Sequence, residues 1–313
     1  MRTQLLIAAA LGLTLLGLTS YLFLHKSTQV GYTDDQINMW KGFKKTYNKK
    51  FSSEDADQEA YRMNVFFDNV EYASQDSTMG ITKFMDLTPV EFAQLYLNPI
   101  ENVEGSIETF QAIQANGDIV VDWVAKGAVT PVKDQGGCGG CWSFATGGVE
   151  GANFVYKNVP NLSEQQLIDC DTQSGCGGGL RDVALNYKAT GLATEQDYPY
   201  EKDGKCRLEG KSHPWVSGYT SIKQCADLVA IQKAPVTVGI DASLQFYTGG
   251  IFSKCATINH GVLLVGYDSV NSWKVKNSWG PNFGEGYFQL SAKVTGDQIN
   301  TCGICSRAYA PYI

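Results

Sequence analysis

The stretch Gln135-Gly136-Gly137-Cys138-Gly139-Gly140-Cys141-Trp142-Ser143-Phe144 decides how this chain is read. Helical patterning runs from Cys141 towards Tyr156, so Cys141 opens a helix. Three chemistries fit two cysteines at this spacing. They can be a redox pair at a helix start. They can be half of a zinc site, but Cys302-x-x-Cys305, which would supply the other half, lies over 160 residues away. Or Cys141 is a nucleophile and Cys138 a structural half-cystine. A thiol in the first turn of a helix faces unpaired N–H groups and the positive end of the dipole, which favour thiolate.

The third reading needs an imidazole and a group that orients it. Only three histidines exist. His25 follows the N-terminal apolar run, and His213 precedes Pro214 in a polar loop. His260 sits beside the apolar run Gly261-Val262-Leu263-Leu264-Val265. A lone strand-edge histidine is more often structural. Here Lys276-Asn277-Ser278-Trp279-Gly280 follows at the end of another strand, where an Asn can hold the imidazole and an indole can shield that bond. The two stretches together favour the nucleophile over the redox pair.

The rest of the chain sets the frame. Of 313 residues, 43% are hydrophobic and 18% charged, which supports a buried core. The net charge of −7 excludes the basic face that a nucleic-acid binder needs. Leu5 to Leu24 is an apolar run after Met1-Arg2, read as a cleaved signal peptide or an uncleaved signal anchor. Either sends the chain into a disulfide-permissive compartment. Asn161-Leu162-Ser163 is a glycosylation sequon, although Ser163 also reads as a helix cap. Residues 33–100 look helical: Thr33 caps a helix with Ile37, Trp40, Phe43 and Tyr47 on one face, and a second carries Tyr61, Val65, Phe66 and Val70. Residues 101–118 read as a linker, and all nine cysteines lie beyond it. Helical patterning (141–156, 164–170, 180–189) then gives way to β-type runs (236–240, 262–267, 273–275, 287–290). The expectation is a helix-rich half, a sheet-rich half and a cleft between them.

On Gln135, Cys141, His260, Asn277 and Trp279, in this order, the chain resembles the papain-family cysteine proteases, closest to the cathepsin L-like branch. His260 lies 119 and Asn277 lies 136 residues after Cys141. Gly140 departs mildly from the family signature, and the resemblance covers Val121 to Tyr312 and much of the upstream region. It implies an α+β papain-like fold with a helical left domain and a β-barrel-like right domain, preceded by a helical prodomain. The domains are then 1–26 leader, 27–116 inhibitory prosegment and 117–313 mature peptidase. It also implies Cys141 as nucleophile, His260 as its acid–base partner, Asn277 as orienter, Trp279 as cover and Gln135 as oxyanion donor. The reaction is peptide-bond hydrolysis through a thioester, with no metal and no cofactor.

The resemblance further implies disulfides Cys138–Cys176, Cys170–Cys206 and Cys255–Cys302, leaving Cys225 and Cys305 as a fourth bridge or as two thiols. It places Gly178, Gly179, Leu180, Arg181, Gly239, Ile258, Gly261 and Arg307 around the substrate; Arg307 is unusual for the branch, and its guanidinium either raises tolerance of acidic residues at the second subsite or bends to solvent or pairs internally. Trp40, Phe43, Tyr47, Arg62, Val65, Phe66 and Asn69, then Gly80-x-Thr82-x-Phe84-x-Asp86, resemble the family prosegment. Gln58 replaces an expected Glu, and Ala73 and Ser77 break the tail of the pattern, so a short or differently packed second helix is expected. Acid would weaken salt bridges of carboxylates such as Asp86 and release the prosegment, with cleavage between about Gly105 and Asp118. Partners are protein and peptide substrates, the prosegment itself and cystatin-like inhibitors, with a membrane only if the leader stays uncleaved. The location is the secretory pathway, ending in a lysosome, a vacuole or outside the cell. Two other functions compete: an idle papain-like binding or storage protein, and a disulfide oxidoreductase using Cys138 and Cys141.

Overall fold

The computed structural model describes residues 31–51, 56–97, 120–156, 158–172, 174–179, 191–202, 204–207, 213, 215–222, 225–253, 255, 258–268, 272–292, 301–305 and 308–313, apart from the side chains of 145, 155, 156, 225–227, 229 and 301. The leader, the expected cleavage region, the helix expected over 180–189, and Leu180, Arg181 and Arg307 lie outside the described residues. Among the described residues no helix is long and apolar enough to cross a membrane. The chain forms two compact units, residues 1–54 and 55–313.

In the first unit, α1 (Asp34–Thr46) starts where the sequence places it. Thr33 and Gln36 form a reciprocal capping box, and Asp34, Asp35 at one end and Lys44, Lys45 at the other complement the dipole. Trp40 and Phe43 are buried, and the Trp40 ring stacks on Phe43 and Phe51 at 5.4 and 5.5 Å.

The second unit opens with α2 (Ala56–Ala73) and α3 (Pro89–Tyr96). The α2 helix runs 18 residues, longer than its irregular apolar pattern suggests. Its inner face is Val65, Phe66, Asn69 and Ala73, so a polar residue turns inward next to the expected Val70. The Asn69 amide donates to the carbonyls of Met85 and Leu87 at 2.8 and 2.9 Å, which ties α2 to the following loop. The α3 helix has Pro89 at its first turn and a capping box between Thr88 and Glu91. Glu91 also accepts from Arg62 Nη1 of α2 at 2.8 Å, and the same nitrogen donates to the Asp86 carbonyl. The carboxylate bonded to Arg62 is therefore Glu91, and Asp86 meets the same guanidinium through its backbone carbonyl. Between the helices, residues 78–82 lie along loop 245–248: Thr248 N donates to Thr78 O, Gly80 N to Phe246 O and Thr82 Oγ1 to Gln245 O, at 2.7 to 2.9 Å.

The helical half that follows is not one helix over 141–156. A 3-10 turn (Ser143–Ala145) leads into α4 (Thr146–Ala152), a second 3-10 turn (Asn153–Tyr156) ends it, and α5 (Glu164–Cys170) comes after. Gly148 and Gly151 explain the local pattern: a Cβ at either would meet Thr237 or Pro235 at under 3 Å. Helix propensity is sacrificed for close contact with the sheet. Trp142, Val149, Leu162, Leu167 and Leu192 form this half's core.

The sheet half contains β1 (Val121–Asp122), β2 (Gly218–Ile222), β3 (Val236–Ile240), β4 (Ile251–Phe252), β5 (His260–Tyr267), β6 (Ser272–Lys276), β7 (Tyr287–Ser291) and β8 (Ala308–Tyr312). The order is β2-β8-β3-β5-β6-β7-β4, with β1 paired to β5 off this path. It is an open sheet, which corrects the expected barrel-like domain: β2 and β4 remain separate ends. Strands β3 and β5 are buried almost throughout, which is why they read as continuous apolar runs. Disulfides Cys138–Cys176 and Cys170–Cys206 tie loops to the helical half, and Cys255–Cys302 lies in the sheet half. Cys305 is also disulfide-bonded.

Candidate active site

Cys141 stands two residues before the 3-10 turn Ser143–Ala145 that opens the α4 segment, is fully buried and lies outside any disulfide. Its Sγ accepts the backbone N–H of Gly261 at 3.4 Å, so the first residues of β5 lie against the sulfur. His260 is the residue before that N–H. Pairing of Ile240 with His260 and Gly239 with Gly261 fixes this end of β5 within the sheet. The helix start and the strand start thus meet at one point, although they are 119 residues apart.

The imidazole tautomer follows from its neighbours. His260 Nε2 lies 2.9 Å from Asn277 Oδ1. That oxygen also accepts the backbone N–H of Ser278 at 2.8 Å, which assigns the amide orientation. Nε2 must therefore carry a proton, and Nδ1 is the nitrogen that can exchange one with sulfur. The Trp279 ring lies over the imidazole, with centroids 4.7 Å apart, and is itself fully buried.

Gln135 is held from three sides. Its Oε1 accepts from Ser278 Oγ at 2.6 Å, and its backbone N–H donates to the Ser278 carbonyl. With Oε1 so placed, Nε2 donates to Cys138 O at 2.8 Å and to Tyr96 O at 3.1 Å. The second acceptor comes from the end of α3. Around it, Phe84, Phe92 and Tyr96 present edges to Trp279 at centroid distances of 5.2 to 6.4 Å. Burial, with Asp134 and Asp86 nearby, pushes the Tyr96 phenol up to about 12, so it stays neutral.

Gly178 and Gly175 exchange backbone hydrogen bonds, and Gly179 lies against the Trp142 ring. Gly239 and Gly261 face one another across β3 and β5, and Ile258 is half-buried against Gly303. Leu180 and Arg307, the remaining residues expected around the substrate, lie outside the described residues. The disulfide oxidoreductase reading needs a Cys138–Cys141 bridge. Cys138 is bound to Cys176 instead.

Sequence reasoning missed three features. Ser278 stood inside the quoted Asn277-Ser278-Trp279 run but drew no role. The Tyr96 carbonyl is backbone and leaves no signal in a sequence. The third is a buried ion cluster behind the site. Lys133 Nζ bonds Glu164 at 2.6 Å and lies 3.7 Å from Glu150 and 3.6 Å from Glu195. Lys276 reaches the same cluster through Thr130, which donates to Glu150. A cavity of about 20 Å³, the size of one water, is lined by Lys133, Glu150, Glu164 and Lys276 of this cluster together with Gly261, Asn277 and Ser278. Burial pushes Glu164 up to about 6 against the opposing charge of Lys133, with Glu150 adding to the rise.

A buried cysteine just before a helical turn, an imidazole held by an asparagine under an indole, and a glutamine amide beside them make up a candidate thiol-hydrolase site on an α+β scaffold. The sequence pattern of the papain family cysteine proteases matches residues 119–312. Cathepsin L 2 of Paramecium tetraurelia is 39% identical, over 93% of this chain and 98% of that protein. Digestive procathepsin L2 from the larval midgut of Tenebrio molitor superposes with a TM-score of 0.77 at 29% identity, covering 89% of this chain and all of that one. A Carica candamarcensis cysteine protease solved with E-64 gives a TM-score of 0.58 at 37% identity over 62% of this chain and 97% of that one. The chain belongs to the papain family, with cathepsin L-like relatives along nearly its whole length. It is a papain-like cysteine endopeptidase with the papain-like fold.

Proposed function

We propose that the chain is a zymogen whose Cys141 and His260 hydrolyse peptide bonds, and that residues 27–116 are the inhibitory segment removed to release the enzyme at 117–313. The observation that carries the reading is the hydrogen bond from Gln135 Nε2 to the Tyr96 carbonyl. In this reading Tyr96 offers a peptide carbonyl to the donor that a substrate oxyanion would use, while Phe84 and Phe92 anchor the segment on Trp279.

The chemistry proceeds in two halves. Cys141 Sγ, as thiolate, attacks the peptide carbonyl carbon, and the oxygen takes up negative charge. Gln135 Nε2 and the Cys141 backbone N–H stabilise that charge. His260 gives its proton to the departing amine, leaving a thioester. It then takes a proton from water as the water attacks, and the acid product leaves with Cys141 restored. Asn277 keeps the imidazole turned, and Trp279 keeps water from that bond. Gly178 and Gly179 pair with the acyl half of the substrate, and Gly239, Ile258 and Gly261 flank its second side chain. The proposed setting is the secretory pathway, with Asn161, which is exposed, as a glycan acceptor. Proteins of the cystatin type would compete for the same cleft.

The test is incubation of the purified precursor at acid pH with and without an E-64-type epoxide. Shortening with gelatin hydrolysis, blocked by the epoxide and absent in Cys141→Ala, is expected. A Cys141→Ala protein that still digests gelatin defeats the assignment, and an unlabelled, inactive Cys141 favours an idle binding protein.

A further inference from the structure

We propose that Asp134 is a specificity residue that selects a basic side chain in the leaving-group half of the substrate. This rests on the proposed proteolytic function and names a preference of the same site. Asp134 directly precedes Gln135, and its backbone pairs with Trp279 in an isolated bridge. Its Oδ1 accepts the Gly136 N–H at 2.9 Å, which fixes the carboxylate. Its Oδ2 is then directed at Lys83 Nζ, 2.7 Å away. The pair is half-open to solvent, with side-chain exposures of 22% for Lys83 and 45% for Asp134. Lys83 belongs to the proposed inhibitory segment. When that segment leaves, the ammonium leaves with it, and Asp134 faces the cleft as a fixed anion beside the oxyanion donor.

The side of the cleft follows from the motif itself. At one end, Gly139 N donates to Cys176 O and the Trp142 ring meets Gly179, the glycine strand assigned to the acyl half. At the other end, Asp134 pairs with Trp279. Gln135 directly follows Asp134 and Cys141 directly precedes Trp142, so a substrate whose acyl half lies along Gly178 and Gly179 carries its leaving group past Asp134. A Lys or Arg there has the reach to put its charge where Lys83 Nζ sits.

Wild-type precursor and full-length Asp134→Asn are activated in parallel. Both are assayed on quenched peptides with one acyl half and with Arg, norleucine or Glu at successive leaving-group positions. Asn keeps the acceptor for Gly136 and removes only the charge. The readout is the ratio of kcat/KM for the Arg peptide over the norleucine peptide, which is independent of the fraction of active enzyme. The expected wild-type ratio is about 2- to 5-fold at low salt, as for an exposed ion pair, and falls towards one with added salt. It should fall to about one in Asp134→Asn. If the variant does not fold, the salt dependence of the wild-type ratio decides alone. A wild-type ratio near one, an equal ratio in both proteins, or a preference for Glu, as the Lys202 ammonium lying against Gly136 would give, overturns the proposal. Hydrolysis of none of the peptides by the wild type instead defeats the proteolytic reading on which it rests.

Discussion

At the residue scale, the amide of Gln135 has two N–H bonds and two acceptors, one internal (Cys138 O) and one from the inhibitory side (Tyr96 O). Only the second is open to exchange, so the donor can serve latency first and turnover later. Gln135→Ala should therefore lower kcat of the activated enzyme by about 10²- to 10³-fold with little change in KM, the loss typical of one oxyanion donor. Steady-state kinetics check this, and an unchanged kcat would remove Gln135 from the proposed roles. Cys141 can be tested in the same spirit. With three described bridges and Cys305 also disulfide-bonded, alkylation without reduction should add a single label, at Cys141. Mass spectrometry showing two further labels would mean that Cys225 and Cys305 do not bridge. The order of Gln135, Cys141, His260, Asn277 and Trp279 was legible because each residue type has a distinctive chemistry. Ser278 was not, because a serine that positions an amide looks like any other serine.

At the element scale, α2 and α3 are coupled by one cation. Arg62 joins Glu91 and the Asp86 carbonyl, and Glu91 also caps α3 through Thr88. Burial alone would raise the Glu91 carboxyl. Hydrogen bonds from Arg62 and Thr88 outweigh it and hold Glu91 below the ordinary carboxylate range. A lowered folded value means that its contribution is complete above about pH 4.5 and is lost as pH falls through that value. The pair should stabilise docking by about 1 kcal/mol. Glu91→Gln should accordingly speed processing of the precursor near neutrality and flatten its acid dependence. Electrophoresis of timed samples across pH 3.5–7 would show it, and a wild-type pH profile in the variant would sink the idea. The cap at Thr33 and periodic aromatic residues made α1 readable, whereas α3 was not singled out, and the inward turn of Asn69 was hidden because its partners are carbonyls 16 and 18 residues away.

At the scale of the whole molecule, the two cores meet over a buried cluster of charges. Among its described members, Glu150, Glu164 and Glu195 face Lys133, and burial pushes the Lys276 ammonium down. Burial raises the carboxyl of Glu164 to about 6 against the opposing charge of Lys133. Between about pH 4.5 and 6 the folded protein binds a proton that the unfolded chain has released. Stability from this group is therefore complete below pH 4.5 and is lost as pH rises through 6, on the order of 1 to 2 kcal/mol. Chemical denaturation of the precursor at pH 5 and pH 7 should show this slope, and Glu164→Gln should flatten it. An identical slope in both proteins would place the effect elsewhere. The window lies above that of Glu91, so between them a mildly acidic medium keeps the fold firm while a stronger acid loosens the segment.

Chemistry and local pattern were determined by the sequence itself. The nucleophile, its imidazole, the capping boxes at Thr33 and Thr88, and the strands at 236–240 and 287–291 rest on residue type and short-range periodicity. The open sheet, the broken helix after Cys141, the inward Asn69 and the Lys133 cluster were decided only by the tertiary structure. Each depends on partners far apart in the chain: a glycine is neutral until a sheet strand presses on it, and a buried glutamate has no ordinary pKa until its neighbours are chosen. Asp134 shows the division most plainly. The sequence supplies a carboxylate beside Gln135, but only the fold brings Lys83 to it from 51 positions upstream and turns an unremarkable acid into a recognisable subsite.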